Sequence, residues 1–197
     1  MLMLNYLSLY KAINTRTALL IISSRKAFSN LKQRGAMKGT ICHEEEVDIP
    51  ADEVWQIYGT IKLAELVVEL LPNVLEKFDL VQGDGGVDTI LHLTFPPGNP
   101  GPQYYKEKFV KIDNEKRVKE AAVVEGGYLE LGFRSFLVRF EILEKEAASS
   151  SIIKSTVEYE IDQENASIAS FVTIGPVKVI AEAIAKYLME KKSCKRL

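Results

Sequence analysis

Between Thr89 and Ile161 the chain alternates apolar and polar residues through five runs, and turn residues part each run from the next. A period of two commits a segment to a strand, because successive Cβ atoms leave a pleated backbone on opposite sides. In Thr89–Phe95, Leu91, Leu93 and Phe95 share one face while Ile90, His92 and Thr94 share the other. Tyr105, Glu107 and Phe109 lie on one face of the next run, with Lys106 and Lys108 opposite. Asp113-Asn114-Glu115-Lys116 makes a turn, Arg117–Glu125 returns, and Gly126-Gly127 turns again. Phe136, Val138, Phe140 and Ile142 share a face of a further strand. The last run is the cleanest, with Ile153, Ser155, Val157, Tyr159 and Ile161 on one side and Lys154, Thr156, Glu158 and Glu160 on the other. The proline-rich stretch Pro96–Pro102 cannot pair as a strand and reads as a stiff loop.

Ahead of these runs, residues 40–49 read as a half-exposed strand in which Val47 and Ile49 alternate with Glu46 and Asp48, and Pro50 stops it. Ala51–Trp55 opens a short helix whose first-turn acids, Asp52 and Glu53, suit the positive end of the macrodipole. A second short helix, about Lys62–Leu70, ends before Pro72. After Asn165 the period changes to that of a helix, with Ile168, Phe171, Val172, Val179, Ile180, Ala183, Ile184 and Tyr187 recurring three and four apart. Gly175-Pro176 is expected to kink or break it. One strand, two short helices, about six more antiparallel strands and a long C-terminal helix make an α+β domain. Small residues at Ala181, Ala183 and Ala185 allow a hollow between helix and sheet. Periodicity does not choose between that hollow and a solid core.

Composition removes several classes of function. A chain of 197 residues suits one domain and needs no staples to hold its core. Cys42 and Cys194 stand far apart, which excludes a disulfide scaffold and argues against a zinc module. His43 and His92 leave little for histidine catalysis, and no cofactor or metal is expected. No apolar run is read as approaching the length of a membrane span. The net charge of −2 gives no electrostatic case for nucleic acid. That average hides a contrast. Residues 1–36 carry six basic residues and no acid, leaving 19 basic against 27 acidic residues in the remainder, a net of −8. A basic, Ser-rich, acid-free lead reads as an address before it reads as structure. Three readings stand: an extension upstream of Met37 that the working protein lacks, an organellar peptide, or a secretory signal. In each, residues 1–36 are a disordered extension and 37–197 are the domain. The expected location is cytoplasmic if translation starts at Met37, and organellar or secretory otherwise.

Within the domain, Gly83-Asp84-Gly85-Gly86 invites a phosphate-loop reading but sits between strands, where a turn is expected. The Tyr105, Glu107 and Phe109 face is more telling. Turned inward, it holds a carboxylate and a phenol in an apolar space, and burial raises a carboxyl pKa toward that of a neutral-pH base. Turned outward, Glu107 is simply solvated. Lys119 joins Glu107 or faces water according to the strand register, which the sequence does not state. His43 and Cys42 are adjacent on a strand and point to opposite faces, so they make no dyad. His92 lies opposite the apolar face, and Ser149-Ser150-Ser151 reads as a loop.

From about Met37 to Ser193 the chain resembles the plant pathogenesis-related class-ten, or Bet v I, family of START-like proteins, and looks most like its norcoclaurine synthase branch. The stretches that carry the resemblance are LLPNVLEKFDLVQGDGGVDTILHLTFPPG, YKEKFVKIDNEKRVKEAAVVEGGYLELG, IIKSTVEYEI and IGPVKVIAEAIAK. The resemblance implies a seven-stranded curved antiparallel sheet wrapped around a long C-terminal helix, with two short helices and a hydrophobic cavity. It implies a cofactor-free Pictet–Spengler condensation of dopamine with 4-hydroxyphenylacetaldehyde, a lyase activity of alkaloid biosynthesis. On that reading the catalytic residues are Tyr105, Glu107 and Lys119. Phe109, Leu75 and Ile180 line the substrate tunnel, and Val138 joins them.

The sequence departs from the branch at two places. Val138 stands where the branch has a catalytic aspartate, after Arg134-Ser135 in place of the usual Thr-Tyr, and Asp88 replaces the last glycine of the glycine-rich turn. Loss of a carboxylate that orients the amine costs about 2–3 kcal/mol of transition-state stabilisation. The expected partners are therefore a small amine and an aldehyde. The alternative is a non-catalytic class-ten protein of plant defence, holding alkaloids, phenolics or hormones. Neither reading involves nucleic acid or a membrane span, and homodimer formation is left open. The loop PPGNPG does not resemble the gate of abscisic acid receptors, which weighs against hormone reception.

Overall fold

Seven strands pair edge to edge, all antiparallel, in the order β1-β7-β6-β5-β4-β3-β2. They are β1 (Ala36–Val47), β2 (Lys77–Gln82), β3 (Ile90–Thr94), β4 (Tyr104–Asp113), β5 (Val118–Gly126), β6 (Phe133–Glu144) and β7 (Ser151–Asp162). The structure is a computed structural model that describes residues 35–98, 101–146 and 149–194. The expectations for the basic lead fall almost wholly outside the described residues, and β1 begins at Ala36, one residue before the boundary expected. Two short helices, α1 (Ala51–Tyr58) and α2 (Lys62–Leu70), join β1 to β2. A 3-10 helix, Gln163–Phe171, and the long helix α3 (Gly175–Cys194) follow β7.

Alternation on the strands becomes burial on one side of the sheet. On β1 every second residue is withdrawn from solvent, and on β7 Ser151, Ile153, Ser155, Val157 and Ile161 are buried on the inner face, with Thr156 also buried on the other. Ser151 therefore belongs to the strand rather than to the loop expected for the serine triplet. α3 presents Val177, Ala181, Ile184, Ala185 and Leu188 to the core, with Ala181 wholly buried. Small side chains bring that helix close to the sheet.

Gly175-Pro176 breaks the C-terminal segment rather than kinking it. Pro176 occupies the first turn of α3, where its missing N–H is not needed. The two helical pieces are thereby rotated out of the single stripe that the periodicity suggested. Phe171 is 58% exposed and Val179 38%. One expectation is corrected here: an 18-residue window within Gln163–Cys194 reaches a mean hydropathy of 1.6, enough to cross a membrane by length and composition. In this fold the segment is interrupted at Val172–Ile174, and the apolar stripe of α3 packs on the sheet.

The glycine-rich segment after β2 is a strand-to-strand turn, as expected. Asp88, where the resemblance places a glycine, takes a left-handed conformation with φ of 69° and pairs with Lys108 at 2.6 Å. Aspartate tolerates this region better than most residues, so the turn survives the substitution.

Candidate active site

Two one-residue slips in the sheet decide what faces its concave side. Tyr105 stands opposite Gly126, and Lys106 opposite Glu125, but Glu107 stands opposite Val123. Val124 is the extra residue, bulged out and 44% exposed. Without that slip Glu107 would oppose Val124, and Lys119, Ala121 and Val123 would turn outward together. A second bulge at Val110 lets Ile112, rather than Lys111, oppose Lys119. The bulge at Val124 brings Lys119 to the face that Tyr105, Glu107 and Phe109 already share, and the bulge at Val110 adds Ile112 to it.

That face forms one wall of a cavity of about 430 Å³, closed on the other sides by α2, the segment Asn73–Leu75 and the first half of α3. All seven residues singled out from the sequence line it: Tyr105, Glu107, Lys119, Phe109, Leu75, Val138 and Ile180. The space between helix and sheet is hollow. Glu107 faces into it, and the solvated alternative does not hold. Phe109 is 1% exposed and Lys119 3%. Val138 lies between Ala121 and Val157 on neighbouring strands, so the position where the resemblance implies an aspartate falls inside an apolar stretch of wall.

Lys119 is held on three sides. Its Nζ donates to the Thr60 carbonyl at 2.8 Å, sits 3.8 Å above the Phe109 ring, and is electrostatically coupled to Glu107. A cation over an aromatic face and against a carbonyl is stabilised where water is scarce. Burial still dominates. It pushes the Glu107 carboxyl up to about 7, the Lys119 charge opposing the rise. It pushes the Lys119 ammonium down to about 8, with Glu107 opposing the fall. Burial also holds the Tyr105 phenol well above its usual range, reinforced by Glu107, so Tyr105 is a neutral hydrogen-bonding group. The wall therefore carries a base and an acid that both titrate near neutrality.

The sequence reading did not single out the aromatic cluster beside Tyr105. Its ring lies 5.0 Å from Phe95 and 6.3 Å from Tyr128, and Tyr128 stacks on Phe136 at 3.7 Å, nearly parallel. All four rings line the cavity. Tyr128 follows the Gly126-Gly127 turn, outside any alternating run, so periodicity had no grip on it; the turn itself was the available signal. The Thr60 carbonyl was also missed, as any backbone ligand is. Among the described residues no group of His, Cys, Asp and Glu is arranged to hold a metal ion.

Comparison with known proteins agrees with this fold. The sequence profile of the family described as pathogenesis-related protein Bet v 1 matches residues 36–191. Over 157 residues the chain is 56% identical to norbelladine synthase of Narcissus pseudonarcissus, covering 80% of this chain and 96% of that protein. It is 40% identical over 163 residues to S-norcoclaurine synthase 1 of Papaver somniferum, covering 82% and 70% of the two chains. Among solved structures, a point mutant of norcoclaurine synthase from Thalictrum flavum, bound to a transition-state analogue, matches with a TM-score of 0.75. The identity is 40%, and the match covers 81% of this chain and 99% of that one.

Proposed function

We propose, from the premise that this chain belongs to the pathogenesis-related Bet v 1 family, that its cavity condenses an arylethylamine with an aldehyde in a cofactor-free reaction of alkaloid biosynthesis. The observation that carries the reading is the buried Glu107–Lys119 pair beside a neutral phenol on the wall of an otherwise apolar cavity. Similarity to a norbelladine synthase and to norcoclaurine synthases supports it. The finer reading is a Pictet–Spengler closure of dopamine and 4-hydroxyphenylacetaldehyde to (S)-norcoclaurine.

In that scheme the amine adds to the aldehyde and gives a carbinolamine. Lys119, as the ammonium, gives a proton to the departing hydroxyl, so water leaves and an iminium forms. The electron-rich ring attacks the iminium carbon, and the Glu107 carboxylate takes the ring proton to restore aromaticity. Lys119 is then neutral and Glu107 protonated, and one proton passed between these coupled groups resets the site. Tyr105 orients the catechol. The apolar walls exclude water and so favour loss of the carbinolamine hydroxyl.

Val138 favours a second reading, a carrier that holds phenolics or alkaloids unchanged, because an apolar wall with fewer charges suits storage. The test mixes the protein with dopamine and 4-hydroxyphenylacetaldehyde and resolves the products on a chiral column beside norcoclaurine standards. The pair condenses slowly by itself to a racemate, so enantiomeric excess is the signal. An (S) excess that disappears in Glu107→Ala supports the synthase. A racemate at the buffer rate rejects the norcoclaurine reading, and ligand retained unchanged in the cavity then supports the carrier.

A further inference from the structure

Lys119 reaches its site from β5, yet the atom that receives its proton-bearing nitrogen belongs to the corner between α1 and α2. The Thr60 carbonyl accepts from Lys119 Nζ at 2.8 Å. That corner is built to aim the carbonyl. Thr60 Oγ1 donates back to the Gln56 carbonyl at 3.1 Å and accepts from the Lys62 N–H at 3.2 Å, which leaves the Thr60 backbone oxygen for Lys119. Gly59, the residue before it, lies flat on the Trp55 indole, where a Cβ would come within 2.6 Å of Cε2. Trp55 is almost fully buried, so the ring cannot yield easily. The indole is itself fixed from outside α1: its Nε1 donates to Asn114 Oδ1, in the β4–β5 turn, at 3.0 Å. The same turn is tied to the start of α1 by Arg117 and Asp52 at 2.7 Å.

We infer that Trp55 and Asn114 are positioning residues for Lys119, holding the α1–α2 corner so that the Thr60 carbonyl stabilises the ammonium that protonates the leaving hydroxyl. Their effect on turnover rests on the condensation reading above, but their effect on Lys119 does not. The groups that face Lys119 are the Glu107 carboxylate and the Phe109 ring from β4 and the Thr60 carbonyl from the corner. Tyr58 from α1 packs on Phe140, the cross-strand neighbour of Lys119 in β6. A hydrogen bond to the charged form favours that form, so weakening the Thr60 contact lowers the pH at which Lys119 titrates.

The experiment follows the Lys119 side chain by NMR in protein carrying labelled lysine, with Lys119→Met to assign the signal. Trp55→Phe removes the donor and keeps most of the packing. Asn114→Leu removes the acceptor at an exposed position and leaves the core untouched. In both, the Lys119 titration moves to lower pH, and kcat falls about tenfold with KM little changed, the effect of one charge-assisted hydrogen bond. Asn114→Asp keeps an acceptor for the indole and keeps the wild-type titration. An unmoved titration in Trp55→Phe and Asn114→Leu, with or without a lower Tm, makes the tether merely structural and overturns the inference. If the wild-type protein turns over no substrate, the condensation reading fails while the titration still decides this one.

Discussion

Glu107 and Lys119 are each held in the less familiar half of their chemistry by the lack of water around them. The base must be ionised and the acid protonated, so the rate of (S)-product formation is expected to rise as pH passes about 7 and to fall above about 8. Initial rates between pH 5.5 and 9.5, corrected for the racemic background, check this. Lys119 opposes the upward shift of Glu107, so in Lys119→Met the Glu107 carboxyl titrates at higher pH than in the wild type. Infrared detection of the carboxyl band reads this directly. Val138 gives a further expectation. Val138→Asp restores a carboxylate on the cavity wall and raises kcat/KM for dopamine by about tenfold or more, with a lower Tm because the added charge is partly buried. Steady-state kinetics and a melting curve test the two halves separately. Tyr105, Glu107 and Phe109 were legible as one face of a strand, but whether that face turned inward and which side Lys119 took were not, and the roles of these residues and of Val138 rested on the family resemblance. Tyr128 was not legible, since it follows a turn, nor was Thr60, since a carbonyl has no letter.

At the scale of elements, the two short helices and every strand but β2, which is too exposed to alternate, were readable from period and punctuation. α2 runs Lys62–Leu70, the span expected from its apolar spacing and from Pro72 beyond it. The C-terminal segment was less legible, because a period near 3.6 looks continuous across a proline that in fact opens a new helix. The stripe of α3 that meets the sheet is Val177, Ala181, Ile184, Ala185 and Leu188. Ala181 is the test of that contact. A wholly buried alanine against a sheet has no room to grow, so Ala181→Leu costs about 1–3 kcal/mol and lowers Tm by roughly 5 °C. Differential scanning calorimetry measures it, and an unchanged Tm would mean that helix and sheet are not in close contact at that point. The bulges at Val110 and Val124 were invisible in the sequence. Both are exposed valines inside strands, and nothing in a valine announces that its neighbours will pair around it.

For the whole molecule, a cavity with ionisable walls is a stability burden that pH controls. Glu107 has a folded pKa above its usual value, so the folded state binds its proton more tightly than the unfolded chain does. Its contribution is fully present below the ordinary carboxylate range and is lost as pH rises toward about 7. At pH 9 Lys119 is mostly neutral and the Glu107 carboxylate stands unpaired in the cavity. Glu107→Gln is therefore expected to have the higher Tm at pH 9 and nearly the wild-type Tm at pH 5.5, as melting curves at the two values will show. The sequence by itself determined the α+β class, the antiparallel strands, the closing helix and the residue types that carry the chemistry, because these depend on local period and on neighbours a few positions away. Only the tertiary structure decided that Glu107 and Lys119 share one wall of a hollow. Register sets that outcome, a slip of one residue reverses every side chain on a strand, and the slips arise from how whole strands pair and curve around α3.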